Sequence, residues 1–343
     1  MRRSILIDTM SHATPGSLPA LYAFASNAIV TILKIIGFLI SGSSAFFSEA
    51  IHSAADTANQ GLLLLGIHKS KKTADAKYEY GYGNERFLWA LISACGIFFV
   101  GAGVTTYHGI QTIINGSHSE ISYVLFVILI ISVLVEGYAL RVALTELKKY
   151  HPDESFFESL RSGDPITVAV VYEDSVALLG VLIALIGISL TYLTHNSIWD
   201  GIASVCIGLL LAFIAIVLIQ KNREFLIGKS IPTEDRDAII EILESEPSIE
   251  KVIDFKSSVL DIGKYHVKCE VEFNGAALLD ELGNSRQLHE MFDEVNGDYE
   301  EFKKFLLYHT NRIPRMMGRT IDDIEKKIIT AVPSVVFIDI EIN

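Results

Sequence analysis

Residues 202–219 read IASVCIGLLLAFIAIVLI, an uninterrupted apolar run without a charged side chain. An uncharged run of about 18 residues or more is typical of a helix that crosses a lipid bilayer. Two further runs have the same character, LISACGIFFVGAGV at 91–104 and YVLFVILIISVLV at 123–135. The chain of 343 residues is 50% hydrophobic, with a mean hydropathy of +0.38. These features favour a membrane protein over a soluble one.

Six apolar segments are long enough to span a bilayer, which requires about 20 helical residues. They lie at 18–41, 45–67, 87–114, 121–146, 166–194 and 198–221. The second segment is the least apolar because it carries Glu49, His52 and Asp56. Ionisable groups are costly in hydrocarbon, so we expect these three to face the bundle interior. The sequence therefore predicts a six-helix transmembrane domain at 18–222, after an N-terminal segment at 1–17.

Lysine and arginine residues fall on alternate connections between the predicted helices. The connections after the first, third and fifth segments contain none. The opposite side carries Arg2, Arg3, Lys69, Lys71, Lys72, Lys77, Arg86, Lys148, Lys149, Arg161, Lys221 and Arg223. Because positive charge stays on the cytoplasmic side, both termini are predicted to be cytoplasmic. We expect a multi-pass protein of the cell (inner) membrane.

After about residue 223 the chain changes character and reads as a small domain at 223–343. The stretch 233–246 predicts an amphipathic helix, and 252–263 and 265–275 predict two strands joined through Gly263. A charged helical stretch at 278–328 and a final strand at 334–342 complete a cytoplasmic α+β domain. The net charge of −13 argues against a nucleic-acid partner.

The second segment also carries the chemistry. His52 and Asp56 are four residues apart and so lie on one helix face, which Glu49 extends. Imidazole nitrogens and carboxylate oxygens are natural ligands for zinc and similar ions. The fifth segment, with VAVVYEDSVALLG at 168–180, adds Glu173 and Asp174. Adjacent helical residues point about 100° apart, so we expect only one of these acids to be a direct ligand. The pattern predicts a divalent-metal site between the two segments, since ionisable groups in spans mark functional sites.

Other interpretations fit these residues less well. Polar side chains often hold membrane helices together without any further role. An intramembrane zinc protease would carry HExxH, whereas Ser53 follows His52 in this chain. A metal sensor would need its spans only as an anchor, and acids in two spans argue against that role. We therefore expect a secondary transporter rather than an enzyme.

The stretch SGSSAFFSEAIHSAADTANQ at 41–60, followed by YGYGNERF at 80–87, resembles the cation diffusion facilitator family of divalent-metal transporters. Within that family it is most similar to the zinc transporter nine branch. The resemblance covers the whole chain and implies six spans, a ferredoxin-like C-terminal domain and a homodimer in the lipid bilayer. It implies efflux of Zn²⁺ by proton antiport with alternating access, and no prosthetic group. Transport of Mn²⁺, Fe²⁺ or Co²⁺ by the same fold is the alternative.

The resemblance also implies a set of ligands. His52 and Asp56 match the ligand pair of the second helix, and Asp174 matches the distal aspartate of the fifth. The family usually has a histidine or an aspartate four residues before that aspartate, where this chain has Val170. Glu173 is the nearest replacement. One imidazole with two or three carboxylates is a harder donor set than a typical zinc site, which leaves the metal open.

Three further features have two interpretations each. We expect Lys34, deep in the first segment, to have a specific acidic partner or else to extend its ammonium group to the interface. Glu136 either serves a proton path or pairs with Arg141. His68 and Asp75 form either an auxiliary metal site or part of a solvated loop, and two ligands seven residues apart favour the loop.

Overall fold

The computed structural model describes residues 17–116, 123–150, 165–282, 285–295 and 297–343. Nearly all of the predicted N-terminal segment, with Arg2 and Arg3, lies outside the described residues, as does Arg161. The chain divides into two compact units, with the boundary after Arg223. Each unit is described by itself below.

Long helices make up the first unit. They are α1 (Ser17–Ser41), α2 (Ser44–Ser70), α3 (Glu85–Asn115), α4 (Tyr123–Tyr150), α5 (Pro165–Thr194) and α6 (Ile198–Leu226). Helix α3 is continuous but includes a π-helical turn at Ile97–Ala102. The helices coincide with the six predicted segments to within a few residues at each end.

Four of these helices are long and apolar enough to cross a membrane, judged by length and composition over the described residues. They are α3 and α6 at full length, Tyr123–Thr145 of α4 and Val170–Thr194 of α5. Helix α1 has a shorter apolar stretch at Asn27–Ser41. The protein is thus a helical membrane protein, and its number of spans stays a prediction.

Four helices form a closed ring of neighbours. Helix α1 packs against α2 and α4, and α5 packs against the same two helices. Helix α2 additionally contacts α3. Helix α2 therefore lies against α1, α3 and α5, which bring side chains of other segments close to it.

Small residues allow α3 and α6 to approach closely. A Cβ atom added at Gly109 would lie 2.9 Å from the carbonyl oxygen of Gly201, and one added at Gly201 would lie 2.9 Å from that of Gly109. About two turns further along α6, a Cβ added at Gly208 would lie 2.9 Å from the backbone nitrogen of Thr106. Such contacts are typical of membrane helices, whose association depends on close packing rather than on the hydrophobic effect.

The second unit is a small α+β domain. Its elements are α7 (Thr233–Glu244), β1 (Ile249–Asp261), β2 (Lys264–Phe273), α8 (Gly275–Leu282), α9 (Ser285–Val295), α10 (Tyr299–Ala331) and β3 (Val335–Ile342). The sheet order is β1-β2-β3, with β1 and β2 antiparallel and β2 and β3 parallel. The predicted helix, hairpin, charged helical stretch and final strand are confirmed. Gly263 has a φ of 69° in the hairpin turn, a conformation that suits glycine.

Strand β2 supplies the centre of this domain's core. Val267, Cys269 and Val271 alternate along it and are all but fully buried. They belong to one cluster with Ile239 and Leu243 of α7 and with Ile324 and Ile328 of α10. Burial raises the pKa of the Cys269 thiol to about 12, so this cysteine is an inert core residue at neutral pH.

Candidate metal centre

Helix α2 brings the predicted histidine and aspartate together. His52 Nε2 lies 3.4 Å from Asp56 Oδ2, with 4% of the histidine side chain and 30% of the aspartate side chain exposed. Neither ring nitrogen of His52 has a hydrogen-bond partner within the described residues. A buried imidazole is normally hydrogen-bonded, so ring nitrogens that make no hydrogen bond suit a ligand such as a metal ion or a proton.

The acids of α5 face the same region. Glu173 and Asp174 are both partly buried on the helix that packs against α2. Asp56 interacts electrostatically with each of them. Like charges gathered in a poorly solvated place repel one another, and a divalent cation between them would offset that repulsion.

The described residues stop short of a closed coordination sphere. Over the ranges that the structure describes, no group of three or more His, Cys, Asp or Glu residues has an arrangement that holds a metal ion. His52 and Asp56 are therefore in contact, while Glu173 and Asp174 stand within electrostatic reach. Val170, one turn before Asp174, exposes 42% of its surface and offers no ligand atom.

A stripe of buried polar atoms continues along α2. Ser53 Oγ and Gln60 Oε1 also have no hydrogen-bond partner in the described part of the chain. Together with His52 and Asp56 they follow the three- and four-residue spacing of a single helix face. Unpaired buried polar atoms are rare in proteins, and they commonly mark the place of water or an ion. Ser53 was not selected from the sequence as part of the site, because a small hydroxyl is unremarkable in a membrane helix.

The other end of this polar face holds an ion-paired network. Lys34 of α1 and Glu49 of α2 have no exposed surface, and Lys34 Nζ lies 2.9 Å from Glu49 Oε2. Glu136 of α4 is the second partner, with Oε1 3.6 Å from the same ammonium group. The prediction that Lys34 has a specific acidic partner is confirmed. Glu136 pairs with Lys34, a contact that neither sequence interpretation of that residue included.

The position of α2 is fixed at its first residues. Asp200 of α6 is buried and accepts hydrogen bonds from the Ser43 hydroxyl at 2.7 Å and from the backbone N–H of Ala45 at 3.0 Å. Its second oxygen accepts from the backbone N–H of Ser44 at 2.5 Å. The two backbone donors are N–H groups of a helix N-terminus that have no partner within the helix, and such groups favour a negative charge. His52 and Asp56 follow two and three turns later on the same rigid helix.

The loop between α2 and α3 uses Asp75 in another way. Its carboxylate accepts hydrogen bonds from Lys72 Nζ at 2.9 Å and the Tyr82 hydroxyl at 2.7 Å. The backbone N–H groups of Lys77 and Tyr78 donate at 3.0 Å each. These contacts, that of Lys72 first, hold the pKa of Asp75 well below its ordinary value. Asp75 therefore holds the loop together through hydrogen bonds. This agrees with its interpretation as part of a solvated loop rather than of an auxiliary metal site.

Comparison with known proteins assigns the chain to a family. The family model of the cation efflux transmembrane domain matches residues 20–227. A mitochondrial proton-coupled zinc antiporter, SLC30A9 of Mus musculus, is 36% identical over 333 residues, which are 96% of this chain and 59% of the relative. Metal tolerance protein C4 of Arabidopsis thaliana is 34% identical over 323 residues, 92% of this chain and 71% of the relative.

A more distant relative is the magnetosome protein MamB of Magnetospirillum gryphiswaldense, 25% identical over 67% of this chain and 73% of its own length. The chain spans less than two thirds of the length of the zinc antiporters that it matches. The family model nevertheless covers more than half of the chain, and the Arabidopsis protein is covered over most of its length. The chain therefore belongs to the cation efflux, or cation diffusion facilitator, family.

Proposed function

We propose that this protein exchanges a divalent metal ion, with zinc as the first candidate, for protons across a membrane. The observation that carries the proposal is the buried His52–Asp56 pair. Within the described residues the imidazole makes no hydrogen bond, and the carboxylate beside it interacts electrostatically with the acids of α5. The names of the relatives, proton-coupled zinc antiporters in mammals, agree with this chemistry. The activity is a transport activity, so no residue is assigned a catalytic role.

The chemistry of the proposed ligands explains how metal movement is coupled to proton movement. A carboxylate or an imidazole binds either a proton or a metal ion, so binding one of them releases the other. If the site opens to each side of the membrane in turn, protons entering from one side displace the metal toward the other. His52 is suited to this exchange because the imidazole nitrogen that accepts a proton is also the one that binds a metal ion.

We assign the metal to His52, Asp56 and Asp174. Glu173 is the further ligand, because Val170, which stands where the family usually has one, offers no ligand atom. A donor set of one imidazole and mostly carboxylates also suits Mn²⁺, Fe²⁺ or Co²⁺, which are the alternative substrates. Closure of α5 onto α2 by a small helix movement would bring the acids from electrostatic reach into contact with the ion.

The proposal includes six spans with both termini on the cytoplasmic side. The one-sided distribution of lysine and arginine in the connections supports this topology. The C-terminal sheet domain is then a cytoplasmic domain of ferredoxin-like type, and the active form is a homodimer. We place the protein in an energised membrane, the cell (inner) membrane in the first instance, where a proton gradient is available to drive efflux.

A flux panel in proteoliposomes tests the proposal. Purified protein is reconstituted, a pH gradient is imposed, and the movement of zinc, manganese, iron and cobalt is followed with a trapped metal indicator. We expect metal flux that depends on the gradient, is accompanied by counterflow of protons and is largest for zinc. Absence of flux for all four metals would contradict the proposal. A metal-dependent change in the C-terminal domain without flux would indicate a sensor instead.

A further inference from the structure

We propose that Lys34 is a positioning residue for the metal site, whose ammonium group holds the Glu49 carboxylate out of the coordination of the transported ion. The inference rests on the proposed function because it assumes that His52 and Asp56 bind the ion. It adds a residue from α1, a helix that supplies no ligand to the proposed site.

The first argument is the depth and the geometry of the pair. Lys34 and Glu49 are both fully buried, and their 2.9 Å contact is a charge-assisted hydrogen bond. A lysine is almost never fully buried unless it is paired. The ammonium group also attracts Glu136 from α4 at 3.6 Å. Lys34 therefore gathers the carboxylates of Glu49 and Glu136 around its ammonium group.

The second argument is that Glu49 would otherwise be available as a ligand. It precedes His52 by three residues and so lies on the same face of α2. Its second oxygen, Oε1, has no hydrogen-bond partner among the described residues. That oxygen lies against α5, where a Cβ atom added at Gly180 would come within 2.7 Å of it. Within the described residues, Glu49 Oε1 thus makes no hydrogen bond between the two helices that carry the proposed ligands, while Oε2 is held by Lys34.

A transporter needs a site that releases its ion. Each additional carboxylate raises the affinity of a site for a divalent cation, and tight binding slows release. By engaging Glu49, Lys34 limits the number of anionic ligands that reach the ion and offsets the charge of that carboxylate. Loss of the ammonium group should therefore strengthen binding and slow transport at the same time.

Zinc binding to the purified full-length chain tests this directly, by calorimetric titration in detergent at a fixed pH. We expect Lys34→Met, which keeps a long unbranched side chain without the charge, to lower the Kd for zinc roughly tenfold. Loss of a group that holds a ligand in place weakens binding by about this factor or more, and the sign is opposite here because Lys34 holds a ligand away. In proteoliposomes the same variant should show a lower half-saturating zinc concentration together with a lower maximal rate. The double variant Lys34→Met/Glu49→Gln should return the Kd to the wild-type value, because the freed carboxylate is then absent.

Each alternative gives a different pattern. If Lys34 only stabilises the fold, Lys34→Met lowers the maximal rate or the yield without lowering the Kd, and the inference fails. The Glu49→Gln single variant keeps the test decisive even if Lys34→Met does not fold. It should bind zinc with the wild-type Kd, whereas a tenfold loss would make Glu49 a ligand in the wild type and overturn the inference. Failure of the proposed function itself is recognised separately, by wild-type protein that neither binds nor transports zinc.

Discussion

Asp200 of α6 accepts a hydrogen bond from the backbone N–H of Ser44, the first residue of α2. The two residues are 156 positions apart in the sequence. At most helix N-termini the acceptor for such an N–H group is a neighbouring side chain or water, whereas here it is a carboxylate from another helix. Since α2 carries His52 and Asp56, the carboxylate of α6 fixes where the proposed metal ligands lie along the bundle.

Removal of this carboxylate should destabilise the first unit. Asp200→Ala leaves two buried backbone N–H groups and a hydroxyl without their acceptor, and we expect a loss of about 2–4 kcal/mol. Asp200→Asn should cost less because it keeps one oxygen acceptor. Thermal unfolding of the detergent-solubilised protein measures both effects. The exposed Asp237→Ala serves as the control and should change stability by less than about 0.5 kcal/mol.

Gly180 should not tolerate even the smallest side chain. Replacing a helical glycine by alanine normally stabilises a helix by about 1 kcal/mol. At Gly180 the new Cβ would lie 2.7 Å from Glu49 Oε1, whose carboxylate Lys34 holds in place. We expect Gly180→Ala to lower stability by about 1–3 kcal/mol, the usual range for overpacking.

Gly137 of α4 provides the matched control, because no heavy atom of the described residues lies within 4 Å of a Cβ added there. Gly137→Ala should be neutral or stabilising in the same thermal assay. Combining Gly180→Ala with Glu49→Asp, which withdraws the carboxylate by one methylene group, should recover part of the loss. Equal stability of the two alanine variants would mean that Glu49 does not occupy the space beside Gly180.

Substitution of the proposed ligands should abolish transport without unfolding the protein. We expect His52→Ala and Asp174→Ala each to abolish metal-dependent flux, since each removes a metal ligand and a proton carrier at once. Val170→Ala should transport normally because neither side chain offers a ligand atom. Val170→His would place an imidazole one turn before Asp174 and should shift the preference toward zinc over manganese. Unchanged flux in both ligand variants, with monodisperse protein, would refute the assignment.

The sequence predicted what depends on local periodicity. Apolar length located the helices of the first unit, alternation located the final strand β3, and four-residue spacing placed His52 beside Asp56. The contacts between helices could not be predicted from the sequence, because the rotation of one helix about its axis relative to the next depends on packing along its whole length. Hence Lys34 was recognised as a cation in need of a partner, while the identity of that partner, Glu49, required the structure.

The loop between α2 and α3 should loosen in acid, and Asp75 should be the cause. In the folded protein, hydrogen bonds from Lys72, Tyr82 and two backbone N–H groups hold the pKa of Asp75 below its ordinary value of 3.8. The carboxylate therefore stabilises the loop fully above about pH 4, and this contribution is lost as the pH falls through the lowered pKa of the folded state.

Asp75→Asn removes the charge at every pH and imitates the protonated state. At neutral pH we expect trypsin to cut this variant several-fold faster than the wild type at Lys77, because two charge-assisted hydrogen bonds are lost. Glu79→Gln, an exposed acid in the same loop, is the control and should be cut at the wild-type rate. In peptic digestion from pH 4 downward, the wild-type loop should become more susceptible while the Asp75→Asn loop changes little. A parallel response of the two proteins to acid would show that some other group governs the order of the loop.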